Sequence, residues 1–209
     1  INIEQRDELL AFAQKHDLWI ITDEVYDRIV FDGDHVSFVG CDDERVILIN
    51  SFSKTYAMTG WRIGYILSAN KEAMSQMIKV QYYITACSND AMQYAVLTAI
   101  NEADDYPDEM CAEFKARRDL ICTRLNAMPG VECHVPEGAF YVFPRVDVPG
   151  MNSQEVAMEL LKGGVLCSPG SAFGPSGEGH LRFAYTISRE NISLGMDKTE
   201  QVLKQLRGD

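Results

Sequence analysis

A chain of 209 residues with 46% hydrophobic side chains is long enough to bury a substantial core, and neither a disordered nor a fibrous class suits it. A formal net charge of −12 argues against nucleic acid or an anionic membrane as the main partner, while leaving room for a small anionic ligand in a local basic pocket. No apolar run approaches the length of a membrane span, and the opening INIEQRDELL lacks the charged-then-apolar pattern of a secretory signal. Six cysteines, at positions 41, 87, 111, 122, 133 and 167, form no C-x-x-C pair, so zinc and thioredoxin readings fail and no metal site is expected. Reduced, mostly buried thiols in a cytoplasmic protein are the expectation.

Glu4 to Lys15 has the apolar spacing of an amphipathic helix, broken at His16-Asp17. LWIIT, from Leu18, is a short β-branched run suited to a parallel strand buried on both faces, ending in Asp23-Glu24. VYDRIVFDGD is expected to pass from helix to loop and close at Gly33. RVILIN and RIGYIL, from Arg45 and Arg62, make two more strands. Lys71 to Ala103 favours helix, Pro107 interrupts, and Asp108 to Met128 is helical again. VECHV and AFYVF are expected to pair across PEG, and Ser153 to cap a helix running to Lys162. VLCSP and HLRFAYTI are strands joined by GSAFGPSGEG, whose glycines read as a flexible connection, and Ile192 to Leu206 closes the chain as a helix.

The fold class is therefore α/β: part of a mostly parallel sheet domain over residues 1–103, then a smaller α+β domain over 104–209. Three parallel strands alone leave exposed edges. The chain also begins with Ile, so the expectation is a portion of a longer polypeptide whose N-terminal part is absent or lies in another chain.

Ligands of open α/β sheets bind at the carboxyl ends of strands. Asp23 sits at one such end, with the Tyr26 phenol three residues on. Ser51, Ser53 and Lys54 sit at the next, and Arg62 opens the third strand. Each has a bland reading: Asp23 caps a turn, Tyr26 is core, and Arg62 pairs with one of many acidic residues. SKT hints at a P-loop, but the required upstream glycines are missing. Together, however, a lysine, a carboxylate, two hydroxyls and a guanidinium suit pyridoxal phosphate. Its aldehyde takes an amine, its ring nitrogen a carboxylate, and its phosphate hydroxyl and guanidinium donors.

SFSKTYAMTGWRIGY resembles the lysine segment of class I/II aminotransferases, members of the fold-type I pyridoxal-phosphate enzymes. ITDEVYDRIVFDG resembles the family's aspartate-tyrosine segment, and VPEGAFYVFP and GVLCSPGSAFGPSGEGHLRFAYTIS its small-domain segments. The resemblance runs through almost the whole chain. It implies Lys54 as the Schiff-base lysine and proton shuttle, Asp23 on the pyridine nitrogen and Tyr26 on the ring hydroxyl. It implies Ser51, Ser53 and Arg62 on the phosphate, and Arg182 as a clamp for the substrate α-carboxylate. Trp61, Phe140 and Tyr141 are read as packing. The family's NPTG-like motif comes just before the opening helix, so the resemblance implies half an active site. The implied function is transfer of an amino group between an L-amino acid and a 2-oxo acid, by a homodimer, with aspartate or aromatic amino acids favoured. Two alternatives stand beside it: a carbon-sulfur β-lyase on the same scaffold, and an aminotransferase-like sensor domain of a transcription regulator.

Overall fold

The structure, a computed structural model, describes all residues of the chain except 42, 104 and 209. The expected domain boundary at Asp104 falls outside the described residues. The chain divides into two compact units, Ile1–Met110 and Cys111–Asp209.

In the first unit, α1 (Ile3–His16) starts from Asn2, whose side chain accepts from the Gln5 N–H while Gln5 reaches back to the Asn2 N–H. This reciprocal cap satisfies two of the donors that a helix start leaves open. Asp17 ends the helix in the left-handed conformation at φ 54°. β1 (Ile20–Asp23) pairs in parallel with β2 (Val46–Ser51), Asp23 lying opposite Ile49. Between them, residues 25–28 form turns and not the expected helix. The buried carboxylate of Glu24 holds this segment, accepting from Phe38 N at 2.9 Å, Ser37 Oγ at 2.6 Å and Thr22 Oγ1 at 3.2 Å, with His35 Nε2 at 2.9 Å.

The third strand departs from the parallel expectation. After the single turn of α2 (Phe52–Thr55) and a 3-10 turn at Thr59–Trp61, β3 (Gly64–Leu67) runs antiparallel to β2, Ser51 opposite Gly64. A parallel return needs a crossover, usually a full helix, whereas one short turn brings the chain straight back. Burial on both faces is also not found. Central β2 buries Val46, Leu48 and Asn50, while Ile21, Tyr65, Ile66 and Leu67 are exposed. Two helices follow, α3 (Lys71–Thr85) and α4 (Asp90–Glu102), capped by Asn70 and Asn89.

α5 (Tyr106–Asn126) takes Pro107 into its first turn, where the missing N–H is no loss. In the second unit β4 (Val131–Glu132) pairs with β6 (Arg145–Val146). β5 (Tyr141–Val142) pairs with β8 (Leu181–Ala184), which also pairs with β7 (Ser168–Pro169). The VECHV and AFYVF segments thus pair with other strands and not with each other. α6 (Ser153–Lys162) is capped by Asn152, not Ser153. The Ser153 hydroxyl instead donates to Glu178 at 3.0 Å. α7 (Arg189–Arg207) closes the unit. Its core gathers Leu125, Leu160, Leu181, Tyr185 and Leu203, each at most 1% exposed.

The glycine-rich connection before β8 is not a slack linker. A Cβ on Gly170 would lie 2.0 Å from the Gly177 carbonyl oxygen, so these two glycines let two backbone segments touch.

Candidate active site

Parallel pairing sets the carboxyl ends of β1 and β2 side by side, and the antiparallel return of β3 brings its amino end to the same edge. Each segment singled out in the first unit therefore leaves the sheet at one place. Glu24 N donates to Ile49 O at 2.9 Å, and Phe52 N to Ile63 O at 3.4 Å, which stitches the three loops to the strand ends.

Ser51 Oγ accepts from Ser53 N at 3.3 Å and so caps the turn that carries Lys54. Arg62 follows the 3-10 turn in the left-handed conformation at φ 55°, a backbone state that side-chain-bearing residues adopt uncommonly and that concentrates at functional sites. Its Nη1 donates to Thr59 O at 2.9 Å. Ser51, Ser53 and Arg62 line one cleft of about 620 Å³, together with Asn50, Gly64 and Tyr65. Two hydroxyls and a guanidinium on one concave surface fit a phosphate monoester, which accepts several donors at once.

Lys54 is half-buried, and its ammonium lies 5.8 Å from the centre of the Tyr26 ring. Tyr26 belongs to the turn closed by Asp27 N on Glu24 O at 3.0 Å and Ile29 N on Tyr26 O at 2.9 Å. Asp23 is exposed at the end of β1, and its Oδ1 accepts from Val25 N at 3.3 Å, so it also caps the turn, as the bland reading held.

Arg182 belongs to the second unit. Its guanidinium stacks 4.7 Å from the Tyr141 ring centre and 4.3 Å from that of Phe173. Tyr141, read from the sequence as packing, therefore orients the candidate carboxylate clamp.

Sequence reasoning missed a polar network beneath the site. Asp27 accepts from Asn50 Nδ2 at 3.0 Å and from Thr55 Oγ1 at 3.2 Å, and Asn50 Oδ1 accepts from Ser51 N at 2.6 Å. Burial pushes the neighbouring Tyr65 phenol above its ordinary value, with the Asp27 and Glu24 charges adding to it and a hydrogen bond with Asn50 opposing it. The one available signal was an Asn ending a buried strand; its partner lies 23 residues away.

Residues 1–198 match the model of the family described as aminotransferase class I and II. The chain is 40% identical over 205 residues to aromatic-amino-acid aminotransferase 2 of Thermococcus litoralis, covering 95% of this chain and 52% of the relative. Identity is also 40% to an aspartate aminotransferase of Pyrococcus abyssi, with the same coverage. Among solved structures, an aromatic aminotransferase from Pyrococcus horikoshii superposes with a TM-score of 0.92 at 38% identity, over 98% of this chain and 56% of that one. The chain spans about half the length of these relatives. With a family model matched over nearly all of its residues, the chain belongs to the class I and II aminotransferases.

Proposed function

We propose that the protein takes part in moving an amino group between an L-amino acid and a 2-oxo acid, with pyridoxal 5′-phosphate as cofactor. The observation that carries this reading is the cleft lined jointly by Ser51, Ser53 and Arg62 at the strand end that also delivers Lys54. Family membership and relatives named as aminotransferases support it over the lyase and regulator alternatives.

In this reading Ser51, Ser53 and Arg62 hold the phosphate through hydroxyl and guanidinium donors. Asp23 sits on the pyridine nitrogen and keeps it protonated, and Tyr26 donates to the ring hydroxyl. The bound cofactor supplies an electron sink for charge left at the substrate α-carbon. Lys54 would hold the cofactor through Nζ, and as a free amine it would take the α-proton from the substrate and deliver it to the cofactor's aldehyde carbon, first as base and then as acid. Arg182 pairs with the substrate carboxylate through both guanidinium edges. Aspartate and aromatic amino acids are the substrates this reading favours, after the names of the relatives. A homodimer in the cytoplasm is what the family resemblance implies for this reading. Among the described residues no helix is long and apolar enough to cross a membrane.

Borohydride reduction of protein loaded with pyridoxal phosphate, followed by peptide mapping, tests the site. The label is expected on Lys54, and a label on a different lysine overturns the assignment. Exchange of amino groups between amino and oxo acids, without release of pyruvate and ammonia, separates transfer from the lyase chemistry.

A further inference from the structure

We propose that Asp27 is the positioning residue for the Lys54 turn, its carboxylate tying the loop after β1 to both flanks of that turn. The proposal deepens the preceding reading and rests on it for the role of Lys54.

α2 is a single turn of four residues. One turn fixes many dihedral angles for very few internal hydrogen bonds, so it does not hold its own shape. Its orientation must come from outside. Asn50 immediately precedes Ser51, and Thr55 immediately follows Lys54. Both are buried, 6% and 8% exposed, and both bond to Asp27. The two ends of the Ser51–Lys54 segment are thus pinned to one side chain.

The chemistry of the carboxylate fixes every role in the network. An ionised Asp only accepts, so Thr55 must donate its hydroxyl proton and Asn50 must turn its NH2 toward Asp27. The Asn50 carbonyl is then left facing the other way, where Ser51 N–H donates to it at 2.6 Å. One negative group therefore sets the amide orientation of Asn50, and through it the backbone of the capping Ser51. Asp27 is itself held in the turn that presents Tyr26, so the spacing between the Tyr26 ring and the Lys54 ammonium follows from the same anchor.

The test compares the protein with its D27A, D27N and T55V variants. The first readout is backbone hydrogen exchange over residues 51–56 without cofactor. The second is the rate and pH profile of Lys54 labelling by pyridoxal phosphate and borohydride. D27A is expected to speed exchange over 51–56 by about tenfold relative to the rest of the unit and to slow labelling to a similar extent. D27N keeps an acceptor for Thr55 but turns a donor toward Asn50, so it falls between D27A and the parent. T55V, which removes one link with little change in volume, keeps the proposal testable if D27A does not fold. Unchanged exchange and labelling in D27N and T55V overturn the proposal, as does exchange that rises equally throughout the unit. Failure of the parent protein to label at Lys54 overturns the cofactor reading instead, and the exchange readout still decides the anchoring role of Asp27.

Discussion

The ammonium of Lys54 lies 5.8 Å from the centre of the Tyr26 ring, although the two stand 28 positions apart in sequence. The contact places a cation over the negative face of a phenol, an attraction worth about 0.5–1 kcal/mol at a partly exposed site. Tyr26→Phe keeps the ring but removes the hydroxyl that the proposed function sets on the cofactor, and is expected to lower labelling of Lys54 by pyridoxal phosphate and borohydride by about two- to tenfold. Tyr26→Ala removes the ring as well and is expected to lower it by about a further two- to fivefold. Equal labelling in the Ala and Phe variants would remove the ring from any role in holding the lysine.

Arg62 is the strongest anion donor on the cleft. A charge-assisted hydrogen bond contributes about 1.5–3 kcal/mol, so Arg62→Ala is expected to weaken pyridoxal phosphate binding by roughly 10- to 100-fold in calorimetric titration. Arg62→Lys recovers part of this loss, since a lysine supplies the charge without the planar fork.

Glu24 makes stability depend on pH. Burial pushes its carboxyl up, but hydrogen bonds from Phe38 N, Ser37 and His35 outweigh that and hold it below the ordinary 4.5. A carboxyl lowered in the folded state contributes stability that is present above its unfolded value and lost as pH falls through the folded one. Urea denaturation is therefore expected to show a loss of stability as pH falls below about 4.5, and a weaker one in Glu24→Gln. At pH 7, Glu24→Ala is expected to cost about 2–3 kcal/mol, because buried donors lose their acceptor.

Gly170 and Gly177 test close approach against conformational freedom. A Cβ on Gly170 would lie 2.0 Å from Gly177 O and 2.6 Å from His180 O, both backbone atoms that move only with the chain. Gly170→Ala is expected to lose about 3 kcal/mol in thermal denaturation. Gly150 has a φ of +77°, and a Cβ there would meet nothing within 4 Å. Gly150→Ala is therefore expected to lose only about 1–2 kcal/mol of backbone preference.

The Arg182 guanidinium lies over both the Tyr141 and Phe173 rings, 4.7 and 4.3 Å from their centres. Arg182→Lys is expected to raise KM for the amino acid by about tenfold while pyridoxal phosphate affinity stays within about twofold, because a lysine keeps the charge but loses both ring stacking and the bidentate pair. A fall in cofactor affinity of the same size would instead place Arg182 on the cofactor.

The short-range structure was legible in the residues themselves. Helix spans such as Ile3–His16 and Ser153–Lys162 follow from apolar spacing, and the strands from β-branched runs, because both depend on neighbours a few positions apart. The grouping of Ser51, Ser53, Lys54 and Arg62 was also written in one segment, since a strand end and its following loop are contiguous. Tertiary structure alone decided the antiparallel return of β3, the partners of the short strands, and the exposure of Ile21 and Leu67. It alone revealed that Asn50 and Thr55 meet Asp27, that Tyr141 faces Arg182, and that Gly170 touches Gly177. The division has a physical origin: dihedral preference and side-chain periodicity act within a few residues, whereas pairing, burial and buried hydrogen bonds depend on which distant segments come together.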